Sequence, residues 1–161
     1  MTTQNKCQLI PHDAKLDNFN VIGELKTHFI WNEDTELNDI VLLDDIIFID
    51  KKRGFKLIVR KGFRCDGGSV PQSFWTTIYD PYATRALLSF ILHDALYASR
   101  LFQRDESDTI LLEFLMELGS CWLKRNKIWS GVRIWGDRAW NDRTEEDIAI
   151  AEQYVQKIPI V

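Results

Sequence analysis

Apolar and polar positions follow two different periods along the chain, and the change of period falls near Pro81. Ile46, Ile47, Phe48 and Ile49 form a short apolar run, residues 50–54 are polar, and Phe55, Leu57 and Val59 then alternate with Lys56 and Arg60. This is the pattern of a β-hairpin, with Gly54 placed for a left-handed turn conformation. Leu25, Thr27, Phe29 and Trp31 share one parity and predict another strand, ahead of an acidic loop at 33–36. The segment before Val21 shows no decisive period.

Beyond Pro81 the pattern becomes helical. Pro81 suits a first helical position, and residues 83–97 contain no helix breaker. Ala86, Leu87, Leu88, Phe90, Ile91, Leu92, Ala95 and Leu96 wrap nearly the whole circumference, which predicts a helix buried on most sides. A second helix is expected from Asp105 or Ser107 through Leu118, with Leu123 as its furthest extent. A third is expected over 128–140, with Ile128, Val132, Trp135 and Ala139 on one stripe. Thr144 followed by Asp147 has the spacing of a capping box and opens a fourth helix through about Gln156, which Pro159 ends. The expected fold class is α+β: a β-rich, hairpin-built N-terminal half packed against a C-terminal bundle of about four helices.

At 161 residues the chain fits one domain and can bury a real core. The net charge of −4, with both signs interspersed, removes nucleic-acid phosphates from the expected partners. No apolar run is long enough for a transmembrane segment, and the N-terminus lacks a secretion signal. The expected location is therefore a cytoplasm, unless another machine exports or packages the protein. The three cysteines, Cys7, Cys65 and Cys121, are odd in number and widely spaced, which argues against a disulfide framework and a Cys-x-x-Cys metal site.

The polar residues that carry chemistry lie between Asp66 and Asp108. Gly67 and Gly68 permit close backbone approach, and Asp66 and Ser69 either cap this turn or face a ligand. Ser69 lacks the Gly-x-Ser-x-Gly elbow of an activated nucleophile. Within the apolar helix, His93 and Tyr97 are four residues apart and share a face, and Asp94 is turned about 100° away. Such polar groups are costly in an apolar helix unless hydrogen-bonded. Asp108 shares a stripe with Leu111, Leu112 and Leu115 on the next helix, so it is expected on the core face, where it can meet His93 across an antiparallel pair. Arg104, four residues earlier, is a further partner for Asp108.

A carboxylate bonded to one imidazole nitrogen fixes the tautomer and leaves the other nitrogen as a general base. Asp94, with Asp66 and the carbonyls of Gly67 and Gly68, is a candidate site for a divalent cation, calcium rather than zinc. A zinc site would have to draw on His93, Asp66, Asp108 and Cys65, with no second His at ligand spacing; His12 and His28 lie in the β-rich half. The same residues equally form a satisfied polar network that locks two helices together, and both readings stay open at this point.

The order Gly62-Phe63-x-x-Asp66-x-x-Ser69-Val70-Pro71, His93-Asp94-x-x-Tyr97, Arg104-x-x-x-Asp108 and Val132-Arg133-x-x-Gly136 resembles the phage and bacterial domain-of-unknown-function family 1353. The resemblance covers about 55–140, leaving 1–54 as a β-rich extension and 141–161 as a C-terminal helix. It implies a phage or prophage origin and no particular activity. A smaller motif, His-Asp-x-x-Tyr on one helix with Asp on the next, is similar to the core of secreted and parvoviral phospholipases A2. That similarity implies His93 as base, Asp94 as calcium ligand, and Tyr97 and Asp108 as supports of His93. The chain departs from it in having no disulfide framework and only a faint glycine-rich loop.

Two function classes follow as expectations. One is a metal-assisted hydrolase of an ester or amide bond, with a His93/Asp108 general-base pair. The other is a non-enzymatic virion component of tail, baseplate or neck, or an assembly protein, held to other phage structural proteins by exposed tryptophans. Trp122, Trp129, Trp135 and Trp140 exceed what one helix stripe needs, with Trp129 and Trp135 expected to fill the core.

Overall fold

A computed structural model describes residues 16–34, 37–65 and 84–160. The expected turn residues Asp66, Gly67, Gly68 and Ser69, together with Pro81, Cys7 and His12, lie outside these described residues.

Six strands precede the helices: β1 (Phe19–Ile22), β2 (Thr27–Asn32), β3 (Leu37–Leu42), β4 (Ile46–Asp50), β5 (Phe55–Val59) and β6 (Arg64–Cys65). Four helices follow, α1 (Thr84–Ser99), α2 (Arg104–Glu117), α3 (Trp122–Asn141) and α4 (Glu145–Glu152), and then a last strand, β7 (Val155–Pro159). The fold is α+β, as the change of period predicts. The expected hairpin is β4–β5, in register from Ile46↔Val59 to Asp50↔Phe55, with Gly54 at φ 68° in the turn. It forms the centre of a four-stranded antiparallel sheet in the order β1-β4-β5-β7, and β2-β3-β6 form a second sheet.

The two halves share one core. Phe19, Phe48, Phe55, Leu57 and Val59 on the sheet pack with Leu88, Ile91, Leu92, Leu96, Ile110 and Phe114 on the helices. Phe114 of α2 receives the edges of Phe19 and Phe48, at ring-centroid distances of 5.3 and 5.7 Å. Every described position of α1 from Leu87 to Ser99 is buried, which explains why its apolar residues wrap the whole circumference. Carboxylates on α2 reinforce the packing. Glu117 accepts from the backbone N–H groups of Asn18 and Phe19, and Glu113 pairs with Lys52 and Arg53 beside the β4–β5 turn. Burial alone would raise the Glu113 carboxyl, but its bonds from Lys52 and Arg53 outweigh burial and hold it below the ordinary range.

Three expectations about helix limits need correction. The second helix stops at Glu117 and does not reach Leu123. Gly119 at φ 76° ends it, with Gly119 N–H bonded to Met116 O and Ser120 N–H to Leu115 O in a Schellman arrangement. The third helix begins six residues before Ile128, at Trp122. The Thr144/Asp147 capping box is present, but its helix ends at Glu152 rather than Gln156. Residues 155–159 instead add a strand to the exposed edge of β5, in register from Phe55↔Pro159 to Val59↔Val155. Tertiary pairing overrides local helical continuation here, because an unpaired β5 edge would leave its backbone groups without ladder partners.

The ladder bonds Arg60 N–H to Tyr154 O and Ile160 N–H to Gly54 O fix which tail residues turn their backbone toward β5. They are the even-numbered ones, so Pro159, which has no N–H, falls at an outward position. Gln156 faces the ladder opposite Ile58. Gln156→Pro should therefore destabilise the protein by about 2–3 kcal/mol in urea unfolding, and Gln156→Ala by roughly 0.5 kcal/mol or less. Equal midpoints for the two variants would mean that the tail does not pair with β5.

Candidate functional site

His93 and Tyr97 occupy successive turns of α1, and Asp108 sits at the start of α2. The loop between these helices is short, so they run antiparallel and Asp108 enters the core opposite the His93 face. His93 Nε2 lies 2.8 Å from Asp108 Oδ1, and Tyr97 Oη donates to the same oxygen at 2.6 Å. The other carboxylate oxygen, Oδ2, accepts from Arg133 Nη1 of α3 at 3.0 Å. Three helices thus converge on one carboxylate that is 1% exposed. The expected meeting of His93 and Asp108 is observed, and so is Tyr97 as a support.

The electrostatics of the cluster follow from its donors. Burial alone would push the Asp108 carboxyl up. The hydrogen bonds from His93, Tyr97 and the Arg133 guanidinium outweigh it and hold the carboxyl below its ordinary value. Burial pushes the Tyr97 phenol well up, and its bond to Asp108 adds to the rise against the opposing effect of Arg104, so Tyr97 stays a neutral donor. An ionised Asp108 can only accept, so Nε2 of a neutral His93 carries the hydrogen and Nδ1 carries the lone pair. Among the described residues His93 makes its hydrogen bond through Nε2 alone. Its side chain is 7% exposed.

Arg104 forms the expected ion pair with Asp108 and makes closer bonds elsewhere. Its Nε is 3.9 Å from Asp108 Oδ2, beyond hydrogen-bond distance. Its closer partners are Tyr97 Oη at 3.3 Å, the carbonyls of Val132 and Arg133 at 3.2 and 2.8 Å, and the Asp137 carboxylate. Arg104 therefore ties α2 to α3 around the phenol. Arg133 bridges Asp108 and the exposed Asp105. Arg133 and Gly136 form a spaced motif in the sequence whose role becomes visible only in the structure. A Cβ on Gly136 would stand 2.9 Å from Tyr97 Oη and 3.4 Å from Arg104 Nη2, so the missing side chain lets α3 close over the cluster. Trp140 completes the cover, with its ring edge-on to Tyr97 at 5.1 Å and the Arg100 guanidinium 5.1 Å from its centroid.

Asp94 is turned away from His93, as the helical spacing predicts, and accepts from the Cys65 thiol of β6 at 2.8 Å. Cys65 therefore meets Asp94 and is not gathered with His93 and Asp108. Asp66 and Ser69, the other members of the expected cation and turn sites, lie outside the described residues. Among the described residues no group of three or more His, Cys, Asp or Glu is assembled that could hold a metal ion. His28, on β2, is exposed.

The tryptophan expectation is corrected in part. Trp135 is 37% exposed and does not fill the core, and Trp129 is half-buried. The buried stripe of α3 is Ile128, Gly131, Val132 and Gly136, because the helix is held close by its glycines rather than by an aromatic wedge. No described helix is long and apolar enough to cross a membrane.

An α+β fold whose helices enclose a His–Tyr–Asp cluster clamped by arginine defines the class. The protein-family model DUF1353, protein of unknown function, matches residues 40–132, from β3 into α3, and the chain belongs to that family. The match includes His93, Asp94, Tyr97, Arg104 and Asp108; it begins earlier than the expected residue 55 and stops one residue short of Arg133. No curated protein and no solved structure matches the chain.

Two measurements test this geometry. Gly136→Ala should cost about 1–3 kcal/mol in denaturant unfolding through overpacking against Tyr97, whereas Ala at the exposed Ser130 of the same helix should change stability by less than roughly 0.5 kcal/mol. A group whose folded value is depressed contributes stability above its unfolded value, and loses it as pH falls through the folded value. For Asp108 the unfolded value is about 3.9. The stability advantage of the wild type over Asp108→Asn should therefore be constant above that pH and shrink below it. A difference unchanged through the acid range would contradict the depressed carboxyl.

Proposed function

We propose that this protein is a hydrolase of an ester or amide bond in which water is the nucleophile and His93 the general base. The observation that supports it is the 2.8 Å contact of His93 Nε2 with the buried, ionised Asp108, which orients the imidazole and leaves Nδ1 basic. Nδ1 takes a proton from water as the water oxygen bonds to the substrate carbonyl carbon. Asp108 stabilises the imidazolium that results, and Tyr97 and Arg133 keep the carboxylate from taking the proton itself. The same Nδ1–H then protonates the leaving oxygen or nitrogen as its bond to carbon breaks. A divalent cation held by Asp94 and Asp66 with the Gly67 and Gly68 carbonyls, calcium in preference to zinc, would polarise the carbonyl when bound. The likeness of His93-Asp94-x-x-Tyr97 to the phospholipase A2 core supports the same assignment of roles.

The family resemblance supports a phage or prophage setting, with the protein made in the host cytoplasm. A second reading, a virion or assembly component without catalysis, is favoured by Trp122 and Leu123, which stand 67% and 54% exposed at the start of α3. These side chains would contact other phage structural proteins.

Asp108 pins groups from two other helices, so its removal would unsettle folding and cannot separate catalysis from scaffold. His93→Gln can, because a glutamine amide can still donate to Asp108. With a series of fluorogenic acyl esters and amides, assayed with calcium, His93→Gln should lower turnover by roughly 10²–10⁴-fold and leave the melting temperature within a few degrees. Wild-type turnover by His93→Gln, or no turnover by the wild type on any member of the series, would overturn the hydrolase reading.

A further inference from the structure

The four-stranded sheet has a second face, turned away from the helices and from His93. Register places Asn20, Ile49, Lys56 and Ile158 side by side across its four strands, and Ile22, Ile47, Ile58 and Gln156 in the neighbouring row. An antiparallel sheet packed on one face normally shows polar side chains on the other. Here isoleucine holds most of the positions in those two rows, and each is half-buried or exposed.

At one end of the rows the surface is concave. A cleft of about 600 Å³ is lined by Ile49, Ile158, Pro159 and Ile160, with Lys51 and Lys56 beside them. Such a volume is within the range of small-molecule sites. Gly54 opens it: a Cβ there would meet only the Ile160 carbonyl, at 3.9 Å. The polar lining is one-sided in charge, with two ammonium groups and no carboxylate. Lys51 Nζ is held by the carbonyls of Leu16 and Asp17 at 2.6 and 3.0 Å, which fixes its charge at the wall. Lys56 is half-buried between Ile49 and Ile158 and forms no ion pair among the described residues. On the far wall the buried Asn20 Oδ1 has no hydrogen-bond partner among the described residues.

We propose that this cleft binds a single-chain alkyl carboxylate, the alkyl chain lying along Ile49, Ile158 and Ile160 and the carboxylate meeting Lys56. An apolar floor favours a chain that leaves water. An ammonium flanked by isoleucines and lacking a counter-charge favours an anionic head over a neutral or cationic one, since partial desolvation strengthens the attraction. The site lies on the opposite face of the sheet from the His93 cluster and does not depend on the hydrolase reading.

Decanoate below its micelle concentration is the probe, followed by calorimetry and by amide shifts of the full chain, with decyl alcohol as the uncharged counterpart. Decanoate should bind saturably, with shifts centred on Asn20, Ile49, Lys56 and Ile158. Decyl alcohol and the Lys56→Glu variant should each bind roughly tenfold more weakly or worse, and Lys56→Arg should stay within a factor of about three. Equal binding of decyl alcohol, full affinity in Lys56→Glu, shifts centred elsewhere or no saturation would each overturn the proposal. Lys56 is not in the core, and thermal melts of both variants check that a lost signal is not lost fold.

Discussion

The helical half of this protein is organised around the buried carboxylate of Asp108. A carboxylate removed from water costs several kcal/mol unless donors replace its hydration. Asp108 is 1% exposed, and its oxygens are met by an imidazole, a phenol and a guanidinium from two other helices. The donors win, because the carboxyl is held below its ordinary value despite burial. That outcome constrains the packing. His93 and Tyr97 must stand one turn apart on α1, α2 must begin close beneath them, and α3 must come near enough for Arg133 to reach. The last condition explains Gly136, whose position leaves no space for a methyl group beside Tyr97. Arg104 then fastens the carbonyls of α3 to the same assembly.

Much of this was legible in the sequence because it depends on local spacing. The four-residue step from His93 to Tyr97, the core-facing stripe through Asp108 and the short α1–α2 loop together require the contact that forms. The β4–β5 hairpin and the Thr144/Asp147 cap were legible for the same reason: their partners are neighbours in the chain. What was not legible depends on distant partners. β7 pairs with β5 about a hundred residues earlier, and nothing within residues 153–160 says that an edge awaits them. Arg133 could be noticed as part of a spaced motif, but not assigned, because its carboxylate lies on another helix. Trp135 was expected in the core from its size and stripe, but glycines at 131 and 136 take the contact and leave the indole at the rim.

The sheet shows the complementary economy. Its inner face is fully engaged by Phe114, Phe102 and the apolar wall of α1, so it carries the stability of the fold. Its outer face is under no such demand, and a solvated face could be polar without loss to that core. Isoleucines at Ile47, Ile49, Ile58 and Ile158 retain high strand propensity there. Propensity alone does not account for a lysine between two of them with no counter-charge among the described residues, or for a concavity at Gly54. Those features fit a surface shaped for an apolar, anionic occupant.

The scaffold and catalytic readings of His93 make different demands on the imidazole. To hold Asp108 in the core, one N–H donor at the His93 position suffices. A glutamine or asparagine amide supplies such a donor without introducing a group that titrates near neutrality. An imidazole adds a second nitrogen, and a scaffold would be expected to satisfy it as fully as it satisfies Asp108, since an idle buried polar atom costs free energy. Among the described residues His93 bonds Asp108 through Nε2, and Asp108 is met as well by Tyr97 and Arg133. The two readings therefore part at Nδ1: a scaffold needs only the Nε2 donor, and the proposed general base needs the second nitrogen as well.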